Sequence, residues 1–383
     1  MKPLRILVFL SFAMATSLVV PEDFSTIQEG IDSASEGDTV LVLEGIYYEN
    51  IYINQKSITI LSENGNENTI IDGSMNGPVF EIINVEYSNL IINGFTIQNG
   101  QGKNINGTTF GGGIITENSN LVLDNLLIQN NTAFAGGGIC FFATNFTNKH
   151  PILSNLTIRN NHASEGGGIF CVYHDLTIYN SEIDNNGMDL FGSGGGIQCL
   201  ISSMELFNVI IKSNQSNFGG GIYLGSSFGD FNNVLIENNY SDSKGGGIWV
   251  GGNSNLNLYR TIISDNQSSS QGGGVFVNQA ILNIINSNIV YNINQDGIDG
   301  SGIYVYDGNS FIKNSIIYFN QCVNISDIYC NLGTPLSDYN QYEISYSNIE
   351  GSENYFFDNN ISLNPMFVNY NYNLNFNSPC IDS

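Results

Sequence analysis

Basic residues are scarce in this chain. Lys and Arg number 10 against 35 Asp and Glu, a formal charge of −25, and only 12% of the residues are charged. A surface of that sign repels phosphate backbones and anionic lipid headgroups, which excludes nucleic acid as a partner. Beyond the N-terminus no apolar run approaches the length of a membrane-spanning helix, so no span is expected after signal cleavage. Six cysteines are too few for a dense disulfide framework at 383 residues. Hydrophobic residues nevertheless make up 42% of the chain, ample for a core, and its polarity comes from uncharged Asn, Ser and Gly.

The N-terminus reads as an export signal. Lys2 and Arg5 precede a short apolar run from Ile6 to Ala15, and Ala13-Met14-Ala15 has the small-x-small form of a cleavage site. Cleavage is expected near Ala15 to Ser17, giving a signal over 1–17 and a secreted or outer-membrane, cell-surface location. Three further segments follow: an N-terminal cap over 18–39, a repeat body over 40–335 with its regular part at 111–320, and a closing segment over 336–383.

The repeat carries most of the information. Gly-Gly-Gly followed by Ile or Val begins at Gly111, Gly136, Gly166, Gly194, Gly219, Gly245 and Gly272, with a degenerate copy at Gly300. An Asn usually follows at a fixed distance (Asn125, Asn180, Asn208, Asn233, Asn286, Asn314), with Asn155 displaced and Arg260 substituted. Every copy then carries Ile-x-x-Asn, ending at Asn131, Asn161, Asn186, Asn214, Asn239, Asn266, Asn292 and Asn320. The units are poor in Ala, Lys and Glu, which excludes a helical solenoid. Short alternating segments such as Leu121-Val-Leu123 read as strand, turn, strand. The expected fold is therefore all-β: a single-stranded right-handed parallel β-helix of about twelve coils with a short cap helix bearing Ile27, Ile31 and Ala34 on one face. At ~4.8 Å per coil the rod would be ~55 Å long. Ile residues should stack inward. The Asn residues should sit at left-handed corners and form a structural ladder, each bonding the next, while the glycines permit positive φ and close approach.

Gly-Gly-Gly-Ile alternating with Ile-x-x-Asn over 111–320 resembles the polymorphic outer-membrane protein repeat, with Ala changed to Gly and Phe to Ile. The stretch from Phe24 to Val42, with Gly45-Ile-Tyr-Tyr and Ile70-Ile-Asp-Gly73, resembles the opening of pectin-lyase-like β-helices. Asn364-Pro-Met-Phe-Val368 through Ser378-Pro-Cys-Ile-Asp382 is similar to the closing segment of secreted bacterial β-helix proteins, in which a sorting tail usually follows; a truncated end is one reading. These resemblances imply a fold shared by lyases, hydrolases, esterases and adhesins.

Enzyme signatures of that fold are lacking. The N-x-D, Asp-pair, G-H-G and R-x-K set of polygalacturonase-like sites does not occur, nor does R-x-P-x-x-R of pectate lyases. Asp189-Leu-Phe-Gly192 is similar to the nucleophile motif of pectin methylesterases but lacks its partners. His150, His162 and His174 fall at three different coil positions, which argues against a shared metal. No cofactor is expected, and a structural Ca²⁺ is left unassigned. Cys322 and Cys330 bracket a loop-like stretch and form the disulfide candidate. Cys171 and Cys199 occupy equivalent positions and could pair or fill the core. The sequons at Asn145 and Asn324 follow from an Asn-rich composition.

Two outward columns stand out. The residue after the repeat Ile reads Arg159, Asp184, Lys212 and Glu237 in consecutive coils, an alternating-sign ladder. The residue after Gly-Gly-Gly-Ile/Val reads Phe170, Gln198, Tyr223, Trp249, Phe276 and Tyr304. If exposed, its aromatics would form a flat ligand-binding strip for successive sugar rings; alternatively they stabilise the sheet or are covered by the Tyr/Phe-rich tail. The favoured function is a non-catalytic adhesin or glycan-binding rod with an extracellular or surface polysaccharide as partner. The alternative is a polysaccharide lyase or hydrolase with a non-standard site.

Overall fold

A computed structural model describes residues 15–86, 90–143, 149–187, 192–295, 300–323, 331–333, 342–350, 359–368, 372–375 and 377–380. Most of the expected export signal, Asp189, Cys330 and the sequons at Asn145 and Asn324 lie outside these residues. The expected right-handed parallel β-helix forms, all-β with one helix.

Each regular coil contributes three strands. In the coil that begins at Gly219 they are Ile222–Gly225, Phe228–Asn232 and Leu235–Glu237. Equivalent strands pair in parallel with the next coil, so that Ile222 meets Ile248, Phe228 meets Asn255 and Leu235 meets Ile262. Three outer faces result. The first follows the glycine runs, the second comes next along the chain, and the third carries Ile-x-x-Asn in a sheet of twelve strands. Near the C-terminal end Val275–Ile285 and Ile303–Lys313 run unbroken across the corner, which joins the first two faces into one sheet. A narrower fourth ladder begins at Gln215–Phe218, just before the glycine corner.

Alternation explains the core. Asn255–Tyr259 buries Leu256 and Leu258 and turns Asn255, Asn257 and Tyr259 outward. The repeat Ile of every coil from Ile128 to Ile317 is buried, each contributing ~1.5–3 kcal/mol. Cys171 and Cys199 meet in register inside this core as free thiols, so they fill it rather than pair.

The N-terminal end is closed by the helix Ile27–Ser33, with Ile27, Ile31 and Ala34 buried beneath it as expected. Thr26 caps it by accepting from Glu29 N, and the Glu49 carboxylate accepts from the backbone N–H of Ile27 and Gln28. At the other end the Lys56 ammonium donates to the carbonyls of Ile31, Asp32 and Ala34, so both helix ends are satisfied. The cap expected over 18–39 includes a strand as well as the helix. Ser17–Val20 forms a rung of the second face against Thr39–Val42.

The Asn ladder forms as a continuous buried column. Asn131, Asn161, Asn186, Asn214, Asn239, Asn266, Asn292 and Asn320 are each 0–1% exposed. In the middle of it, Asn214 Nδ2 donates to Asn239 Oδ1 at 3.0 Å and to Ile183 O at 2.9 Å. Its Oδ1 accepts both the backbone N–H and the Nδ2 of Asn186. One assignment needs correcting: the ladder Asn is not itself left-handed. The residue before it takes that conformation, from Asn130 (φ 56) to Phe319 (φ 58), while the other Asn column, Asn125 to Asn314 with Arg260, is left-handed as expected. The ladder continues one rung further to Asn331, which accepts from Asn320 Nδ2 at 2.7 Å.

The glycine run is shaped by the same column. Gly219 turns the corner at φ +64, where a Cβ would lie 2.2 Å from Ile222 O. Gly221 abuts the ladder, and a Cβ there would come within 3.1 Å of Asn239 Nδ2 and 2.7 Å of Gly247 O. Hydroxyl ladders occupy two other corners: Ser202, Ser227 and Ser254 on one, Ser287, Ser315 and Ser347 on another, each hydroxyl accepting the backbone N–H of the preceding coil.

Candidate functional site: the outer faces of the rod

The aromatic column on the first face is in register from Cys140 through Phe170, Gln198, Tyr223, Trp249 and Phe276 to Tyr304. It is not the exposed strip expected. Phe170, Phe276 and Tyr304 are 8%, 3% and 8% exposed, and only Tyr223 and Trp249 remain half-buried. Tyr223 and Trp249 have ring centroids 4.1 Å apart and planes within 2° of parallel. Rings lying side by side in the sheet plane cannot approach so closely, so the pair is stacked face on face and turns its edges outward. Phe276 and Tyr304 stack likewise, with planes 3° apart. Each ring of the first pair lies back over a glycine two residues on: a Cβ on Gly251 would meet the Trp249 ring at 2.5 Å. Phe170 is covered by neighbours that include Phe142, Val172 and Leu200, and Lys244 Nζ lies 4.7 Å from the Phe276 ring centroid. The aromatic faces are thus taken up by one another, and the column is built as a sheet stabiliser.

The closing segment covers a different face. Tyr372 donates to Asp265 Oδ2 at 2.5 Å and packs on Tyr291, while Phe367 meets Phe319 on the third face. On that face Arg159, Asp184, Lys212 and Glu237 stand in register. Their contacts differ from a simple alternating ladder. Lys212 reaches diagonally to Glu182 at 2.9 Å, and Arg159 bonds Gln129 at 3.2 Å. Glu182, followed by nearby carboxylates, holds the Lys212 ammonium pKa above its usual range.

The second face leaves more of its apolar side chains exposed, although Tyr179 and Phe207 stack on it with ring centroids 5.2 Å apart. Three outward columns cross it: Asp175, Ser203, Phe228, Asn255, Ile281; Thr177, Glu205, Asp230, Asn257, Asn283; and Tyr179, Phe207, Asn232, Tyr259, Ile285. Tyr179, Phe228 and Ile281 are 37%, 38% and 40% exposed, several times the exposure of the buried members of the first-face column. Glu205 and Asp230 stand between them, and burial raises the Asp230 pKa. Asn283 donates to Asn257 at 2.7 Å and Arg260 reaches from the corner to Asn232, which leaves a flat surface of amides, carboxylates and apolar groups. Sequence reasoning missed this face although the signal was present. In four consecutive coils the residue immediately before the corner Asn or Arg260 reads Tyr179, Phe207, Asn232, Tyr259.

One titratable group on the first face was also missed. Glu165 stands immediately before a glycine run, and burial raises its pKa against the opposing influence of Gln198. Its charge adds to burial in raising the Tyr223 hydroxyl. The histidines remain apart. His174 is 1% exposed with Nδ1 3.2 Å from Val172 O, His150 lies 3.6 Å from Asp175, and His162 makes single parallel bridges to Thr132 and Gly187. Among the described residues no group of three or more His, Cys, Asp or Glu is placed to hold a metal ion. Among them too, no helix is long and apolar enough to cross a membrane. Cys322 is disulfide-bonded, while its expected partner Cys330 lies outside the described residues.

The chain matches the right-handed β-helix region family over residues 167–327. No curated protein matches it. Among solved structures it is similar to the A-module of the mannuronan C-5 epimerase AlgE6 of Azotobacter vinelandii, at 14% identity over 88% of this chain and 91% of that one, TM-score 0.46. It is also similar to a mannuronic-acid-specific polysaccharide family 6 lyase from human gut microbiota, at 12% identity over 86% and 90%, TM-score 0.35. The pectin methylesterase of Aspergillus niger follows at 10% identity over 91% and 90%, TM-score 0.30. Likenesses of that degree say nothing of this chain's chemistry.

Proposed function

We propose that this chain is an exported, non-catalytic rod that binds a neutral polysaccharide along its second outer face. The observation that carries the reading is the exposed, in-register surface of Tyr179, Phe228 and Ile281 around Glu205, Asp230, Asn257 and Asn283. Apolar and aromatic side chains pack on sugar C–H faces, while carboxylates and amides take hydroxyl hydrogen bonds. No Lys or Arg stands in these columns between Asp175 and Ile285, and the whole chain carries −25, so polyanionic chains are repelled. An adhesin or surface-attached binding role is the form this reading takes if the N-terminus is the export signal its sequence suggests.

Retention on immobilised neutral and acidic polysaccharides tests it. Phe228→Ala combined with Tyr179→Ala is expected to lose retention on the neutral gel, while Tyr223→Ala keeps it. Equal retention by all three proteins defeats the proposal.

Glu165 favours a second reading, a polysaccharide hydrolase or lyase. Its raised pKa beside Tyr223 is what a general acid requires. Burial alone raises it, against the opposing Gln198 side chain and with no second carboxylate contributing, whereas glycoside hydrolysis ordinarily uses a pair. Release of reducing ends or unsaturated uronate by the purified chain, lost in Glu165→Gln, would establish this reading in place of the first.

A further inference from the structure

The first rung begins at a residue whose backbone nitrogen is held by a carboxylate. Thr16 is exposed and lies immediately before Ser17–Val20. Its carbonyl accepts from Thr39 N at 2.9 Å, which sets the register of Ser17 against Thr39. Its backbone N lies 2.8 Å from Asp38 Oδ1, and the second oxygen of that carboxylate accepts from Ser35 N at 2.9 Å. Asp38 is only 7% exposed. The chain therefore sets a nearly buried carboxylate against the nitrogen of the residue that follows Ala13-Met14-Ala15. In an uninterrupted chain that nitrogen is a neutral amide with one hydrogen. As a chain terminus it would be an ammonium with three hydrogens and a full positive charge, the better match for a carboxylate in that position.

We infer that the Ala15–Thr16 peptide is a processing site for a signal-peptidase-class protease, and that the α-ammonium it frees pairs with Asp38 to lock the first coil. The cleavage is a hydrolysis. Water adds across the Ala15–Thr16 amide, the carboxylate leaves with residues 1–15, and the new amine of Thr16 takes up a proton. Both products are charged, and only the amine stays with the folded rod. The corner is ready for that charge because its other ionic groups are committed elsewhere. The Asp23 carboxylate accepts from Val19 N, Glu36 accepts from Ser57 N, and the Lys56 ammonium closes the end of the cap helix. The Asp38 pKa is lowered chiefly by the bond from Thr16. This inference does not depend on what the second face binds.

Two measurements on the protein exported from a host carrying the full gene test it. Intact mass and N-terminal sequencing are expected to show a chain beginning at Thr16; a chain beginning at any other residue overturns the inference. The reactivity of the terminal amine toward an acylating reagent near neutral pH tests the pairing. Pairing favours the ammonium, so labelling is expected to be slower by about tenfold than in the urea-unfolded chain, the factor for one unit of pKa. Asp38→Asn should abolish most of that protection. An amine equally reactive folded and unfolded would overturn the pairing, and this comparison holds even if Asp38→Asn does not fold.

Discussion

Replacing a single ladder Asn should cost an amount set by its place in the column. In Asn214→Ala the side chain that accepts two bonds from Asn186 is lost, so a backbone N–H and one amide hydrogen of Asn186 are left buried without partners. Asn239 Oδ1 keeps the bond from the backbone N–H of residue 214 and is not orphaned. Each buried unsatisfied donor costs about 1–3 kcal/mol, so the two together predict a loss of about 2–6 kcal/mol. Asn131 heads the ladder, and its Oδ1 accepts one backbone bond, from Gly100 N at 2.8 Å. Asn131→Ala therefore orphans a single donor, at about 1–3 kcal/mol. Urea unfolding followed by circular dichroism measures both variants on one scale. If Asn131→Ala proves as damaging as Asn214→Ala, the ladder is not stabilised by satisfying buried donors, and the reasoning fails.

Gly219→Ala forces a Cβ into a left-handed corner at φ +64, 2.2 Å from Ile222 O; strain and clash together should lower stability by more than the roughly 1–2 kcal/mol of the backbone term alone, measured by thermal unfolding. Trp249→Ala should lower stability by about 0.5–1.5 kcal/mol beyond its lost burial through loss of the stacked pair, without change in polysaccharide retention. His174 is buried with its pKa lowered, chiefly by desolvation. The unfolded chain then binds a proton the folded one does not, so its contribution is intact above about pH 6.5 and is lost as pH falls below it. His174→Phe should flatten the stability profile across that range, read from unfolding midpoints at each pH.

The solenoid was legible because stacking repeats every physical constraint. Eight copies of Ile-x-x-Asn marked both the inward ladder and the amide column. What could not be read was which outward columns stay exposed. Phe276 and Tyr304 alternate outward as their strand positions require, yet they are buried. Side-chain direction in a strand says which face a residue takes and not what neighbouring coils lay over it. The ring stacking of Tyr223 on Trp249 follows from Gly225 and Gly251 two residues on, a small detail of two coils. Lys212 reaches Glu182 rather than a register partner because long side chains choose diagonals that a column reading does not contain. Asn331 was hidden for another reason: it joins the ladder outside the repeat spacing.

The chain carries its own reporter for the central claim. Trp249 is the single tryptophan, and it lies half-buried on the first face while the proposed binding surface is the second. A neutral polysaccharide that retards the protein in affinity electrophoresis should be titrated while tryptophan emission is followed. The account predicts retardation with unchanged emission, and loss of retardation in the Phe228→Ala, Tyr179→Ala protein. Retardation accompanied by a shift or quenching of Trp249 emission would place the ligand on the first face and contradict it.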